Sequence, residues 1–282
     1  MQRRTLLQSL VAAIPAGLIS PRMSPASTLP ASGTPEFQQS ALAGKGEATT
    51  QEFYELRRYL LRSGPQTQLT EHYFAAALIP ALRRLGLGPI GAFRLEVGPE
   101  TPCFYLLIPG SSAETLVTAT QQLARDKEFL AAAEPFWAAP ATAPSFVRTE
   151  SSLLRAFAGW PKLTPPPGGP TAKRIFQLRT YESPSDRDHV RKVEMFEHGE
   201  FDVFQGAGFH QVFYGANLIG QQLPSLTYML SAPDQAALDA SWQKFRDAPA
   251  WHKLSTDPLY NYEEIVSNIT NLILSPLTCS DI

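Results

Sequence analysis

The sequence repeats a pattern at a spacing of 122 positions within its 282 residues. Residues 56–59 (LRRY) correspond to residues 178–181 (LRTY), and residues 102–107 (PCFYLL) correspond to residues 224–229 (PSLTYM). A triad of a predicted helix keeps the same offset, with Leu116, Thr120 and Leu123 matching Leu238, Trp242 and Phe245. Separated segments that share one offset are the signature of repeated structural units. The spacing therefore predicts a tandem duplication.

Hydrophobic periodicity predicts the same order of elements in both copies: strand, helix, strand, strand, helix, strand. In the second copy these are a strand at 174–182, a helix from Ser185, strands at 209–215 and 226–230, a helix opened by Ser231, Pro233 and Asp234, and a last strand at 262–274. In the first copy they are a strand at 53–60, a helix at 70–85 with a kink at Pro80, strands at 90–97 and 103–108, a helix from Ser112, a Pro- and Ala-rich insertion at 131–144, and a strand at 145–152. This order is the ferredoxin-like βαββαβ unit of an α+β fold. A sheet covered by helices on one face can bury its other face against a second copy.

The repeats are predicted at residues 51–158 and 173–278, separated by a Pro/Gly-rich linker at 159–172. Residues 1–26 have the features of a twin-arginine-type signal peptide: Arg3 and Arg4, an uncharged apolar stretch, and small residues before a cleavage site near Ala26. A flexible tether is predicted at 27–50. We therefore expect a periplasmic or secreted protein.

Composition excludes several classes of function. The formal net charge of −2 provides no positive field for nucleic acid, and no apolar segment after the signal is long enough to span a membrane. Cys103 and Cys279 are the two cysteines, and we expect two separate thiols. The sequence has no nucleophile elbow, phosphate-binding loop, dinucleotide fingerprint or Cys-x-x-Cys motif.

Four motifs in order resemble the NIPSNAP family, which belongs to the dimeric α/β-barrel superfamily. They are the strand ending in Leu-Arg-x-Tyr, the strand containing residues 228–230 (YML), the segment RDxPxW at 246–251 and the ending LILSPL at 272–277. The resemblance covers residues 175–277 well and residues 54–157 more loosely. It implies two ferredoxin-like halves that close an intramolecular barrel. It implies no established reaction, although superfamily relatives include haem enzymes and cofactor-free monooxygenases.

The strands of the two LRxY motifs carry the candidate ligand-binding residues Arg57, Tyr59, Arg179 and Tyr181. Alternation puts Glu55 with Arg57 and Tyr59 on one face of the first strand, and Gln177 with Arg179 and Tyr181 on the same face of the second. We expect the helices to cover the other, apolar face, so that both polar trios face the barrel interior. In one interpretation the arginines anchor an anionic or carbonyl ligand. In the other they form pairs between the sheets, for instance Arg57 with Glu55.

The histidines support weaker hypotheses. Glu194, His198 and Asp202 recur every four residues, but an exposed helix face has the same spacing and no zinc motif is present, so we predict no metal. His210 lies in a predicted strand and is the candidate axial ligand in the less favoured case of a bound haem. We otherwise predict no cofactor.

These observations predict an exported barrel protein, as a monomer or homodimer, that binds a small molecule or a protein partner at the barrel. The first alternative is an oxidoreductase, either cofactor-free and monooxygenase-like or haem-dependent, with Arg179, Tyr181 and His210 as candidate catalytic residues. The second alternative is a structural protein that acts in assembly. A filled barrel interior favours this last interpretation, and an open one bordered by both arginines favours the enzyme.

Overall fold

The computed structural model describes residues 50–282. The expected signal peptide at 1–26 and all but the last residue of the expected tether at 27–50 lie outside the described residues. Within the described part of the chain, no helix is both long and apolar enough to cross a membrane.

The first half of the fold comprises four strands and two helical segments. Its elements are β1 (Phe53–Leu60), α1 (Pro65–Tyr73), a π-helical turn (Phe74–Leu78), α2 (Ile79–Arg84), β2 (Gly91–Leu95), β3 (Cys103–Gly110), α3 (Ala113–Leu123), α4 (Lys127–Trp137) and β4 (Arg148–Ala156).

The second half has the same order of strands and helical segments. Its elements are β5 (Ile175–Glu182), α5 (Asp186–Met195), a π-helical turn (Phe196–Glu200), α6 (Phe201–Ala207), β6 (His210–Ile219), β7 (Ser225–Ala232), α7 (Gln235–Asp247), α8 (Pro249–Ser255), α9 (Tyr262–Ile265) and β8 (Asn268–Pro276).

The eight strands form a closed antiparallel barrel in the order β1-β3-β2-β8-β5-β7-β6-β4. Each half contributes a four-stranded sheet with the ferredoxin-like strand order, and the two sheets join along the pairs β2–β8 and β4–β6. Closure leaves no sheet edge unpaired in the barrel. The predicted α+β fold class, with an intramolecular dimeric α/β barrel, is confirmed.

Side-chain caps explain where three of the helices begin. The Oγ of Ser112 accepts a hydrogen bond from the Thr115 amide, and the Oγ of Ser185 accepts one from the Asp188 amide, as expected from the sequence. At α7 the cap is Asp234, which accepts from the Ala237 amide at 2.8 Å, whereas Ser231 still belongs to β7. The second helix of this half therefore starts later than Ser231.

At Pro80, where a kink is expected, the helix continues from a π-helical turn (Phe74–Leu78) directly into α2, so its geometry is irregular just before the proline. Two other expectations about local structure need correction. The Pro- and Ala-rich insertion at 131–144 is helical up to Trp137. The segment before β8 forms the short helix α9, so the last strand begins at Asn268.

The apolar and polar faces of β1 and β5 point in the opposite directions to those expected. Tyr54, Phe176 and Leu178 belong to a core cluster with side chains from all eight strands, which is the barrel interior. Tyr59 and Tyr181 instead pack with the helices on the outside of the barrel. The expectation that the polar trios face the interior is wrong, because both faces of each sheet are buried and the helices cover the face that carries the trio.

Candidate functional site

The second half contains a cavity of about 860 Å³ between the outer face of the sheet and helices α7 to α9. Its floor is formed by side chains of β5 and β8, and its walls by the helices. The lining residues that the site depends on are Gln177, Arg179, Tyr181, Trp242, Trp251, Tyr262 and Asn271. The full lining contains five aromatic side chains and ten polar or charged ones, so the cavity offers aromatic surfaces together with many hydrogen-bonding groups.

Arg179 is the cation at the centre of this cavity. Its Nη2 donates a hydrogen bond to the Tyr181 hydroxyl at 3.1 Å, and its Nε is buried without a hydrogen-bond partner. The guanidinium lies over the ring of Trp242, with 4.5 Å between Cζ and the ring centroid. No ion pair joins Arg179 to any of the described residues. The structure brings the predicted Arg179 and Tyr181 together and leaves the charge of the arginine without a neutralising carboxylate.

Gln177 lies beside Arg179 on the same face of β5 and is held by two neighbours. Its Oε1 accepts a hydrogen bond from Trp242 Nε1 at 2.7 Å, and its Nε2 donates to Asn271 Oδ1 at 2.8 Å. Asn271 is the residue of β8 directly opposite Arg179 in the strand pairing. These two bonds fix the orientation of the Gln177 amide.

A buried polar network lies behind the cavity wall. The Tyr181 hydroxyl is 2.7 Å from the Tyr228 hydroxyl, and burial raises the pKa of Tyr228 well above its usual value, so this phenol stays neutral. Lys192 and Glu200 form a fully buried ion pair between α5 and the π-helical turn. The Lys192 ammonium lies 5.4 Å from the ring centroid of Tyr181 and 5.0 Å from that of Tyr262.

The first half contains a smaller cavity of about 570 Å³ in the corresponding place, lined by Arg57 and Tyr59. Here Glu55 occupies the position that Gln177 has in the second half. Arg57 donates from Nε and Nη2 to the two carboxylate oxygens of Glu55 at 2.8 and 2.9 Å, and Ser151 donates to Glu55 Oε1 at 2.7 Å. The pairing of Arg57 with Glu55 is confirmed, although it lies within one sheet and does not join the two sheets.

The predicted ligand-binding residues thus form two separate groups. Arg57 and Tyr59 line the first-half cavity, and Arg179 and Tyr181 line the second-half cavity. The expectation that both arginines border one enclosure inside the barrel is wrong, because Arg57 and Arg179 lie on the outer faces of their sheets, under the helices.

The barrel interior is filled at one end and open at the other. Fully buried side chains such as Tyr54, Phe93 and Phe176 pack the closed end. A cavity of about 470 Å³ occupies the open end, and its rim carries Arg58, which is paired with Glu100 and Glu150. Neither Arg57 nor Arg179 reaches this space.

His210 lies away from Arg179 and Tyr181. It lines a depression of about 190 Å³ beside the linker residues Pro166 and Pro167 and beside Arg174. Burial lowers the pKa of His210, which favours its neutral form. The structure therefore does not bring the third candidate catalytic residue to the site.

The second-half cavity does not fit a haem held by histidine, because its lining includes no histidine, cysteine or methionine. The described residues also contain no group of three or more His, Cys, Asp or Glu side chains arranged to hold a metal ion. The series Glu194, His198 and Asp202 does not lie on one regular helix, because Gly199 has a φ of +139° and interrupts the helix between His198 and Asp202.

Sequence reasoning missed the aromatic residues of the cavity as site residues, namely Trp242, Trp251 and Tyr262. One signal was available: the position of Trp242 holds Thr120 in the first copy. A large aromatic residue that replaces a threonine at an equivalent position indicates that the two halves differ there.

Comparisons with known proteins agree with the fold and with the resemblance of the second half to the NIPSNAP family. A candidate monooxygenase from Lactobacillus acidophilus aligns over 81% of this chain and 95% of its own, with a TM-score of 0.50 and 9% identity. One from Fusobacterium nucleatum aligns over 81% and 94%, with a TM-score of 0.51 and 11% identity. A NIPSNAP-like domain protein from Burkholderia xenovorans aligns over 38% of this chain and 88% of its own, with a TM-score of 0.35 and 16% identity. No sequence of a curated protein matches this chain. Residues 176–281, which contain the whole lining of the second-half cavity, match the NIPSNAP family model.

Proposed function

We propose that the protein binds a small organic molecule in the second-half cavity. The observation that carries this proposal is the cavity itself, about 860 Å³ of space lined by five aromatic side chains and ten polar or charged ones. Its volume falls within the range of about 300–1,000 Å³ that small-molecule sites have, and its polar side chains can orient a ligand on the aromatic surfaces. The first-half cavity is smaller and its charged groups already satisfy each other.

A neutral planar dye tests this function. Nile red added to the protein should gain fluorescence on entering the cavity. Ser255→Trp places an indole in the lining of the second-half cavity and should abolish the gain. Thr120→Trp makes the matched change in the lining of the first-half cavity and should leave the gain intact. Equal responses of the two variants would contradict the proposal.

An oxidoreductase is the second candidate function, and the fold shared with two candidate monooxygenases favours it. In this case Arg179 and Tyr181 would orient the substrate in the same cavity. The cofactor-free form suits the cavity better than the haem-dependent form, since no histidine lines it. An absorption spectrum of the purified protein tests for haem or flavin, and oxygen uptake with bound hydroquinones tests for cofactor-free oxidation. The purely structural alternative predicts neither dye binding nor turnover.

We also propose that the protein is exported and acts in the periplasm or outside the cell. The support is the order of Arg3 and Arg4, the uncharged stretch and the small residues before Ala26. Fractionation of cells should find a processed form outside the cytoplasm, with a new N-terminus near residue 27. Replacing both arginines by lysine should leave the unprocessed chain in the cytoplasm.

The two halves are proposed to be domains of duplicated origin, at 51–158 and 173–278, joined by the linker at 159–172. Their equal order of elements supports this, as does the equivalent strand pairing of Arg57 with Ser151 and of Arg179 with Asn271. Fragments divided within the linker should reassemble into one barrel when they are produced together. The closed barrel favours a monomer over a homodimer. Size-exclusion chromatography with light scattering measures the molar mass and so shows which of the two is present.

A further inference from the structure

We propose that the ligand of the second-half cavity is an aromatic carboxylate and that Gln177 is the residue that makes this cavity selective for an anion. This inference rests on the proposed function and names the ligand class of the same site. It follows from a comparison of the two halves of the barrel, which place the same arginine in different electrostatic surroundings.

In the first half the arginine is already neutralised. Glu55 gives Arg57 both of its carboxylate oxygens, and the pair is nearly buried, with 11% of each side chain exposed. An incoming anion would have to displace a bidentate partner on the same strand and would meet the negative charge of Glu55. The first-half cavity therefore rejects anions.

In the second half the equivalent position carries an amide without charge. The carbonyl oxygen of Gln177 accepts from Trp242 and its amide nitrogen donates to Asn271, so neither end of the side chain pairs with Arg179. Arg179 keeps one hydrogen bond, to the neutral Tyr181 hydroxyl. A guanidinium that is half-buried and without a counter-charge gains strongly from a bound carboxylate, since hydrogen bonds between ionised groups are about twice as strong as neutral ones.

No carboxylate among the described residues forms an ion pair with Arg179. Asp239, Arg246 and Glu263 line the rim of the cavity, are exposed, and are screened by water and salt. Glu200 lies behind the aromatic wall and attracts Arg179 electrostatically, but its ion pair is with Lys192. Of the two arginines that line the cavity within the described part of the chain, Arg179 lies on the sheet and Arg246 lies at the exposed rim.

The aromatic walls indicate the chemistry of the rest of the ligand. Trp242 covers one face of the guanidinium, while Trp251 and Tyr262 stand face to edge, with 5.3 Å between their ring centroids. Planar rings pack favourably on such surfaces in offset-stacked or edge-to-face arrangements. A ligand with a flat apolar body and one carboxylate satisfies both the walls and Arg179.

The decisive experiment compares two probes that differ in charge and hardly in shape. 2-Naphthoate is an anion at neutral pH, and 2-naphthamide is its neutral analogue. Titration calorimetry on the wild-type protein should show 2-naphthoate binding about 10- to 100-fold more tightly, the range expected for an added ionic hydrogen bond at a partly desolvated arginine.

The variant Gln177→Glu should abolish this preference. Glutamate has the shape of glutamine and retains the hydrogen bond from Trp242 Nε1. It can also accept a hydrogen bond from Asn271 Nδ2 once the Asn271 amide rotates by 180°. It would place a negative charge beside Arg179 on the same face of β5, as Glu55 does beside Arg57 on β1. We expect 2-naphthoate binding to fall at least about 10-fold, and 2-naphthamide binding to change less than about threefold.

The matched control is Gln205→Glu, which adds the same charge at an exposed position of α6 outside the lining of this cavity. It should weaken 2-naphthoate binding less than about threefold, because solvent screens the new charge. Equal affinity of the wild-type protein for the two probes, or undiminished 2-naphthoate binding by Gln177→Glu, would overturn the inference. Retained Nile red binding in that event would show that the proposed function itself stands, whereas loss of the Nile red signal and of both naphthyl ligands would contradict the function.

Discussion

The guanidinium of Arg179 lies over the indole ring of Trp242, with 4.5 Å between its Cζ atom and the ring centroid, and the same indole donates its N–H to Gln177. One side chain of α7 thus orients both polar residues of β5 that decide what the cavity accepts. Stacking holds the arginine by its face and leaves its edges for hydrogen bonds. The site is therefore organised across the contact between a helix and the sheet.

Trp242→Phe separates the two roles of this tryptophan. The substitution keeps an aromatic face for Arg179 but removes the donor to Gln177, which leaves the buried Gln177 Oε1 with no partner. We expect the free energy of unfolding to fall by about 1–2 kcal/mol. Urea denaturation followed by circular dichroism measures it. Trp242→Leu, which also removes the stacked ring, should cost more, and equal stability of Trp242→Phe and the wild type would contradict the role of the hydrogen bond.

The buried pair of Lys192 and Glu200 predicts strong coupling between two residues eight positions apart. Removing either charge alone, by Lys192→Met or Glu200→Gln, leaves the other buried and unpaired, which costs about 3–5 kcal/mol. The double variant should lose much less than the sum of the two, because no isolated charge remains. Urea denaturation of the four proteins in this cycle measures the coupling, and additive losses would show that the pair is not a unit.

Cys103 predicts a dependence of stability on alkaline pH. Burial raises the pKa of its thiol from 9.0 to about 11. Between these pH values the thiol of the unfolded chain is ionised while that of the folded chain remains protonated, so the unfolded state binds fewer protons and the free energy of unfolding falls as pH rises. The fall attributable to this thiol is about 2–3 kcal/mol.

Cys103→Ala isolates this contribution, since burial raises the pKa of Tyr54 and Tyr214 in both proteins alike. Denaturation at pH 8 and pH 11 should show a smaller loss of stability for the variant than for the wild type. A thiol reagent at pH 8 should react with Cys103 only after unfolding. Parallel pH profiles of the two proteins would contradict the burial of this thiol.

The repeat at 122 positions and the resemblance to the NIPSNAP family together predicted the barrel. The shared offset indicated two βαββαβ units, and the capping patterns at Ser112 and Ser185 located two of the helix starts. Local rules succeeded there because a cap depends on neighbours three residues away. The start of α7 was misplaced, since Ser231 and Asp234 both fit a cap and only the length of β7 decides between them.

Alternation along β1 and β5 identified the residues that share a face but not the direction of that face. Period 2 separates Arg179 and Tyr181 from Phe176 and Leu178 whichever way the strand is turned. In a barrel covered by helices both faces are buried, and Tyr59 and Tyr181, at 4% and 3% exposure, are as enclosed as the interior residues. The cavity itself depends on how α7, α8 and α9 lie on the sheet, and no local pattern encodes that arrangement.

Two glycines of the second half provide opposite tests of packing. Gly215 lies at the β4–β6 seam, and a Cβ atom there would come within 3.0 Å of the Leu154 Cβ and 3.4 Å of Tyr54 in the barrel interior. Gly215→Ala should therefore lower the free energy of unfolding by about 1–3 kcal/mol, the usual cost of overpacking.

Gly206 lies within α6, and a Cβ there would meet open space. Gly206→Ala should raise the free energy of unfolding by about 0.5–1 kcal/mol, because alanine loses less conformational freedom than glycine in a helix. Urea denaturation of both variants measures the contrast, and a stabilising Gly215→Ala would mean that the seam between the two sheets is looser than this packing requires.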